Sequence, residues 1–138
     1  MGLIRSCEGS LRRLRTDVND ILQMHGWDGT VPLEETLTAL DTLIRSGRVR
    51  YVGVSNWVRV ARDEGAQDLG PRRLPRFMCQ LIYYSLQARE AEYELVPVAL
   101  DQGLGILAWS PLAGALLTGK WRRGAPSPEG VHTHAEMA

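Results

Sequence analysis

Polar and aromatic residues that could do chemistry lie at the ends of four short apolar segments of the chain. They are His25 after the first segment, Ser55 and Asn56 after the second, Gln80 within the third, and Trp109 and Ser110 in the fourth. Amides and hydroxyls can pair with a carboxamide, an indole offers a stacking face, and an imidazole can hydrogen-bond a carbonyl oxygen. Brought together, these residues would suit a planar ligand that carries an amide.

A second candidate site is the glycine-rich stretch from Gly114 to Lys120, where backbone amides and one cation could meet a phosphate. Lys120 is the only lysine, since the other 15 of the 16 basic residues are arginine. A mechanism that needs a lysine earlier in the chain therefore has none to use.

Each of these residues also has an ordinary structural role that the sequence leaves open. A histidine at a strand end is more often structural than catalytic. Trp109 in an apolar strand is by default a core residue, and Ser55 with Asn56 could cap a helix. The Gly103-x-Gly105 pair is no dinucleotide fingerprint, because it precedes a strand and lacks a third glycine. No G-x-S-x-G nucleophile motif occurs.

The two cysteines, Cys7 and Cys79, are too few for a disulfide framework and form no CxxC pair. We expect both to be buried free thiols. Because neither lies near a cluster of histidines, the sequence predicts no metal site.

Composition excludes several classes of partner. The 138 residues include 16 basic and 16 acidic side chains, so we expect neither a nucleic-acid-coating protein nor a polybasic membrane binder. With 44% apolar and 23% charged residues, the chain can build a globular core. No run approaches the roughly 18 apolar residues of a membrane helix, and the N-terminus has no apolar signal core. We therefore expect a cytoplasmic protein.

Helical and strand patterns alternate along the first half of the chain. Apolar spacing predicts a helix over Leu3–Leu14, and Val18–His25 is typical of a buried strand. A second helix, with a stripe of leucines, follows Pro32 and stops at Gly47, and Arg48–Asn56 is a second strand. This alternation favours parallel strands joined by crossover helices.

The second half continues the pattern less regularly. Glycines, Pro71 and scattered arginines blunt the helical periodicity between Trp57 and Pro75, so at best a short helix precedes a basic loop. After it we predict a strand, a helix with a proline in its body, and a last strand: Phe77–Ser85, Glu90–Gln102 and Gly105–Pro111.

Four stretches together resemble the aldo-keto reductase superfamily, in the branch that is similar to bacterial reductases and potassium-channel β subunits. They are CEGSLRRLRTD, QMHGWDGTVPLEETLTALDTLIRSGRVRYVGVSNW, QLIYYSLQARE and ELVPVALDQGLGILAWSPLAGALLTGK. The resemblance runs from Ile4 to about Gly130 and is weakest between Val58 and Leu74, where the length fits but the residues do not. A pair of compensating frameshifts would produce such a stretch.

The resemblance implies an α/β fold that is part of a (β/α)8 TIM barrel, with about four parallel strands and crossover helices. Residues 1–121 would form this partial barrel, and the Gly/Pro-rich residues 122–138 would be a poorly ordered tail. A full barrel has about 250 residues. We therefore expect a central part of one, with two open sheet edges through which it could self-associate.

The resemblance also implies a reaction, the reduction of aldehydes and ketones with NADPH. His25 falls where the family holds the carbonyl substrate, as the catalytic histidine. The other matched positions would bind the cofactor: Ser55, Asn56 and Gln80 at the nicotinamide carboxamide, Trp109 at its ring, and Ser110, Leu112, Gly114 and Lys120 at the pyrophosphate.

The chain departs from the family in its catalytic set. The family's catalytic Asp, Tyr and Lys would precede Leu3, and this chain has no tyrosine before Tyr51 and no lysine before Lys120. The segments that grip the adenosine phosphate would follow Ala138. We therefore expect the polypeptide to be inactive alone. Two other interpretations stay open: a non-catalytic relic or interaction module that kept the cofactor half, and a structural half-barrel that dimerises to close its sheet.

Overall fold

The computed structural model describes residues 2–26, 30–55, 75–122, 124 and 126. Within these residues the chain forms three α-helices, four β-strands and two short 3₁₀ turns. Helices and strands alternate within residues 2–55 and again within residues 75–109, as the sequence predicts. The predicted helix between Trp57 and Pro75 lies outside the described residues except for Pro75, and so does most of the predicted tail over residues 122–138.

The first helix and strand form where apolar spacing predicts them. Helix α1 spans Leu3–Leu14 and buries Cys7 and Leu11 along one side. It ends because Arg15 takes a left-handed conformation with φ of 53°. Strand β1 follows over Asn19–Met24.

The second helix and strand also match the prediction. Helix α2 spans Leu33–Arg45 and buries three leucines at helical spacing, namely Leu37, Leu40 and Leu43. Gly47 then turns the chain with φ of 73°, a conformation that glycine adopts without strain. Strand β2 spans Val49–Ser55.

The remaining elements are strand β3 over Phe77–Tyr83, helix α3 over Leu95–Gln102 and strand β4 over Gly105–Trp109. The sequence predicted one helix over Glu90–Gln102, but the structure has a 3₁₀ turn over Glu90–Glu92 and α3 begins only at Leu95. Pro97 explains the late start. It now lies in the first turn of α3, where the missing amide hydrogen of proline leaves no bond unmade.

β3 and β4 each end two residues earlier than the sequence predicted, and β1 ends one residue earlier. β3 ends before Ser85, because the Ser85 Oγ accepts hydrogen bonds from the backbone amides of Gln87 and Ala88 at 3.2 and 3.0 Å and turns the chain. β4 ends before Pro111, because Ser110 has φ of 51° and cannot continue a strand.

The four strands form one parallel sheet in the order β1-β2-β3-β4. Four residues, one from each strand, lie side by side across the sheet. We call them the central row: Gln23, Gly53, Cys79 and Gly105. β1 and β4 are the outer strands, and among the described residues no further strand pairs with either of them.

The core lies on the helix side of the sheet. It joins Cys7 and Leu11 of α1 and the leucines of α2 to Val52, Val54 and Phe77 of the strands. The opposite face, which we call the open face, carries the central row together with Ile21, Tyr51 and Leu107. Those three side chains are 47%, 48% and 44% exposed. The helices of the described chain are all too short or too polar to cross a membrane.

Candidate functional site

The carboxyl ends of all four strands lie along one edge of the sheet, because the strands are parallel. We call this edge the mouth, and in barrels of parallel strands it is where active sites are built. His25 directly follows β1, Ser55 ends β2, and Trp109 ends β4 with Ser110 directly after it. The structure thus brings these four predicted site residues to the same edge.

The two polar residues at the β1 and β2 ends differ in exposure. His25 is exposed, so its imidazole is accessible from solvent. Ser55 is only 3% exposed and pairs in register with Leu81 of β3. Asn56, the neighbouring predicted cofactor residue, lies outside the described residues, and its role stays a prediction.

Gln80 is not brought to the mouth. Its side chain is fully buried, and its Nε2 donates to the backbone carbonyl of Leu95 in α3 at 2.6 Å. The carboxamide therefore lies on the helix side of the sheet, away from the open face that carries Cys79. Its Oε1 is buried and finds no hydrogen-bond partner in the described part of the chain. Such an orphaned acceptor is costly to bury, and a carboxamide ligand on the open face could reach it only if the register of β3 changed.

Trp109 meets an aromatic partner that the sequence analysis missed. Its ring stacks on Tyr83 at the end of β3, with centroids 4.5 Å apart and planes inclined by 28°. The two residues are paired in register, so two aromatic rings at matching strand ends were the available signal. The pair builds a flat, half-buried aromatic surface at the mouth, and Tyr83 covers one side of the indole.

The segment after β4 is wound in the left-handed region. Ser110, Ala113 and Ala115 have φ of 51°, 49° and 68°, and Gly114 between the alanines has φ of 60°. The Ser110 Oγ accepts a hydrogen bond from the Gly114 amide at 3.3 Å. Non-glycine residues in this region are strained, and such strain concentrates at ligand sites.

The residues of this segment fit a phosphate-bearing cofactor by their chemistry. A hydroxyl at Ser110, glycine amides and the exposed ammonium of Lys120 are donors of the kind that phosphate oxygens accept. Leu112 is 54% exposed and leaves an apolar side chain beside them. The Gly114 amide already donates a hydrogen bond to the Ser110 Oγ, so a phosphate oxygen would have to replace that acceptor or share the amide with it.

A polar trio follows β3, and the sequence analysis did not single it out. The Tyr84 hydroxyl donates to Glu92 Oε1 at 2.6 Å, and the Arg89 guanidinium donates to the same oxygen. The hydrogen bond from Arg89 lowers the pKa of Glu92, and the hydrogen bond to Glu92 raises the pKa of Tyr84. The trio ties the loop after β3 to the turn before α3, and so fixes one wall of the mouth.

One cavity lies away from the mouth. A cavity of about 420 Å³ opens at the amino ends of the strands, lined by Leu11, Arg12, Arg15, Thr16, Asp17 and Arg48. That end of a parallel barrel serves stability rather than catalysis.

Across residues 2–26, 30–55 and 75–122, no three His, Cys, Asp or Glu side chains come together as a metal site.

Comparison with solved structures matches the same architecture in larger proteins. The glycerol dehydrogenase AKR11B4 from Gluconobacter oxydans superposes with a TM-score of 0.78 at 30% identity, over 91% of this chain and 36% of the dehydrogenase. The thermostable aldo-keto reductase Tm1743, in complex with the inhibitor epalrestat, superposes with a TM-score of 0.72 at 34% identity, over 86% of this chain and 42% of the reductase. The four-stranded sheet therefore corresponds to part of the aldo-keto reductase barrel.

Comparison of amino-acid sequences also finds larger proteins that this chain matches over part of their length. The uncharacterized oxidoreductase YrpG of Bacillus subtilis is 44% identical over 116 residues, which cover 84% of this chain and 36% of that protein. A probable voltage-gated potassium channel subunit beta of Arabidopsis thaliana is 34% identical over 130 residues, 89% of this chain and 38% of the subunit. The chain thus spans little more than a third of these relatives. The aldo/keto reductase family model matches residues 1–136, and the chain belongs to the aldo/keto reductase family.

Proposed function

We propose that this chain forms the nicotinamide side of an aldo-keto reductase active site, in an enzyme that reduces aldehydes and ketones to alcohols with NADPH. The observation that carries the proposal is the mouth itself, where His25, Ser55 and the Trp109–Ser110 pair lie at the ends of three of the four parallel strands of an aldo/keto reductase sheet. NADPH, when bound, supplies the hydride that the carbonyl carbon accepts.

Each of the proposed site residues of this chain would bind either the substrate or the cofactor. The exposed imidazole of His25 donates a hydrogen bond to the substrate carbonyl oxygen and so orients it. Ser55 with Asn56 holds the nicotinamide carboxamide. Gln80 would join them only if the register of β3 changed, because a strand residue cannot rotate its side chain to the other face of the sheet. The Trp109 ring stacks on the nicotinamide.

The phosphate groups of the cofactor would lie along the segment after β4. Ser110, Leu112, Gly114 and Lys120 line it, and Lys120 supplies its cation. This assignment is supported by the strained left-handed turn at Ala113–Ala115, beside which Leu112 and Lys120 are exposed.

Carbonyl reduction also needs a proton for the alkoxide oxygen. By resemblance, the family's proton donor and its lysine partner have no counterpart in the 138 residues. We therefore propose that this polypeptide alone does not turn over. Loss of a general acid removes about 10²- to 10⁴-fold of rate, and loss of its partners removes more.

The test of activity is NADPH oxidation with a broad aldehyde such as 4-nitrobenzaldehyde. We expect turnover below about 0.1 per second, under the range of ordinary enzymes. Faster turnover would show that another group of this chain donates the proton, and would contradict the proposed inactivity while supporting the reductase assignment.

The test of the cofactor site is a fluorescence titration with NADPH. We expect weak affinity, without saturation at low micromolar cofactor, because each charge-assisted phosphate contact contributes about 1.5 to 3 kcal/mol and the adenosine-phosphate contacts are not among the matched positions. Lys120→Gln should weaken binding about threefold to tenfold, a reduced figure because the side chain is exposed. Arg122→Gln, two positions along and also exposed, is the matched control and should leave binding unchanged. Equal effects of the two substitutions would refute the assigned role of Lys120.

A further inference from the structure

A polar side chain lies within the sheet just below the mouth. Gln23 of β1 belongs to the central row, where it is half-buried and its neighbours are two glycines and a cysteine. It pairs in register with Gly53, two residues before Ser55 ends β2. A carboxamide in such a place needs hydrogen bonds, because an unpaired polar group is costly to bury. The partners of Gln23 therefore indicate what its side chain does.

Both polar atoms of the Gln23 carboxamide are used, and each reaches a different strand. Nε2 donates to the backbone carbonyl of Val54 in β2. Oε1 accepts from the Cys79 thiol of β3 at 3.6 Å. Gly53 leaves room for this arrangement, because a Cβ at that position would overlap the Gln23 Oε1. One side chain of β1 thus links three strands one step below the mouth.

The Val54 carbonyl belongs to the peptide unit that leads into Ser55. Because a peptide unit is planar, a hydrogen bond at its oxygen also restricts the orientation of its N–H and the start of the next residue. Within the part of the chain that the structure describes, no side-chain hydrogen bond fixes the Ser55 hydroxyl itself. The position of that hydroxyl therefore depends on the backbone, which Gln23 holds in addition to the hydrogen bonds of the sheet.

We propose that Gln23 is a positioning residue for the cofactor: by holding the peptide unit between Val54 and Ser55, it directs the Ser55 hydroxyl toward the nicotinamide carboxamide. This inference rests on the proposed function, which assigns Ser55 to that carboxamide. Gln23 contacts neither substrate nor cofactor and acts only through Ser55. An apolar side chain of similar size could fill the space over Gly53, but it could not hold the carbonyl.

The first experiment tests the contact without a ligand, by nuclear magnetic resonance. Gln23→Met keeps an unbranched side chain of similar length and removes the donor. We expect the Val54 carbonyl carbon to move to lower chemical shift, because it loses a hydrogen bond, and the Ser55 amide signal to move with it. Unchanged signals at both positions would overturn the inference.

The same substitution at Gln102 is the matched control. Gln102 is also half-buried, but it ends α3 and so lies at the amino end of β4, opposite the mouth. Its Nε2 donates to the neighbouring Asp101 carboxylate. Gln102→Met should leave the Val54 and Ser55 signals unchanged. If it moves them as far as Gln23→Met does, the shifts do not report the contact and the inference is overturned.

The second experiment compares the binding of NADPH with that of 2′-phospho-ADP-ribose, which carries the same phosphates but no nicotinamide. The factor by which NADPH binds more tightly is the nicotinamide preference. Gln23→Met should lower this preference by about threefold to tenfold, the effect of one hydrogen bond, and leave the affinity for 2′-phospho-ADP-ribose unchanged. An unchanged preference would overturn the inference. An equal loss of affinity for both ligands would also overturn it, because that is the result of a merely structural role.

A double-mutant cycle tests whether Gln23 acts through Ser55. Ser55→Ala should lower the nicotinamide preference, and adding Gln23→Met to Ser55→Ala should lower it no further. Additive losses would overturn the inference, because Gln23 would then act by another route. A wild-type chain without any nicotinamide preference would overturn the proposed function and this inference with it. The ligand-free spectra distinguish the two failures, since they report the contact between Gln23 and Val54 whether or not the cofactor binds.

Discussion

The carboxamide of Gln23 lies directly over the α-carbon of Gly53 in the central row. Its Nε2 donates to the backbone carbonyl of Val54, and its Oε1 accepts from the Cys79 thiol at 3.6 Å. A Cβ at position 53 would overlap the Gln23 Oε1 and lie 2.7 Å from the Cys79 sulfur. Any larger residue at position 53 would force the side chains of Gln23 and Cys79 to shift, and Gln23 uses the space to tie β1 to the end of β2.

We predict that Gly53→Ala destabilises the protein by about 1 to 3 kcal/mol, the usual range for overpacking a filled site. Gly105→Ala is the matched control from the same row, because a Cβ there would meet its nearest atoms at 3.5 Å, an ordinary contact. Urea denaturation at one fixed protein concentration measures both. Equal free energies of unfolding for the two variants would contradict the close packing at Gly53.

Removing the obstructing side chain should rescue the first variant in part. In the Gln23→Ala background, Gly53→Ala should cost less than it does in the wild-type background, because only the sulfur of Cys79 remains in the way. The coupling is read from a double-mutant cycle of unfolding free energies. Additive effects would mean that Gln23 does not occupy the space over Gly53.

Local sequence patterns were enough to predict most of the fold. The leucine stripe of α2 and the stop at Gly47 are confirmed, since both depend only on nearby residues. The parallel sheet followed from the alternation of elements. The split before α3 was not predicted, because the sequence analysis placed Pro97 in the body of one helix, whereas the structure places it in the first turn of a shorter one.

The site was harder to predict because side-chain direction in a strand reverses with every residue. The register of β3 against β2 is irregular: one step of β2, from Val52 to Gly53, faces two steps of β3, from Phe77 to Cys79. Such a bulge shifts which residues face which side. Because of this bulge, the Gln80 side chain lies on the α3 side of the sheet. The positions of His25 and Trp109 at the mouth were predicted, because a residue at the carboxyl end of a strand lies at the mouth whatever the register.

Both thiols should resist modification in the folded protein. Cys7 and Cys79 are 1% and 5% exposed, and burial raises the pKa of the Cys79 thiol, which lowers its thiolate fraction at neutral pH. We predict that an aromatic disulfide reagent reacts with neither thiol on a time scale of minutes and with both in denaturant. Rapid reaction of one thiol without denaturant would show that its part of the core opens.

The left-handed alanines after β4 predict a stabilising substitution. Ala115 has φ of 68°, a conformation that costs an L-residue roughly 1 to 2 kcal/mol and glycine almost nothing. Ala115→Gly should therefore raise the free energy of unfolding by about 0.5 to 1 kcal/mol after the added entropy of the unfolded chain is subtracted. The same substitution at Ala39, inside α2, should lower it by about 1 kcal/mol. Two changes of the same sign would contradict the left-handed conformation at Ala115.

The Tyr84–Glu92–Arg89 trio predicts a pH dependence with a defined sign. The pKa of Tyr84 is raised, so the contribution of its hydrogen bond to stability is present below the ordinary tyrosine pKa and is lost as pH rises through the raised value. The pKa of Glu92 is lowered, so its contribution is present above the ordinary glutamate pKa and is lost as pH falls through the lowered value. The trio should therefore stabilise the loop after β3 across the neutral range.

Tyrosinate absorbance measures this directly, because subtracting the titration of Tyr84→Phe from that of the wild type isolates one hydroxyl. We expect Tyr84 to titrate above the ordinary tyrosine pKa, and Glu92→Ala to bring it down, since the carboxylate that accepts its hydrogen bond is removed. Glu90→Ala, an exposed change in the same turn, should leave the titration where it was. If both substitutions lower the pKa of Tyr84 equally, the general negative charge of the turn sets that pKa. The hydrogen bond to Glu92 then does not hold the loop after β3.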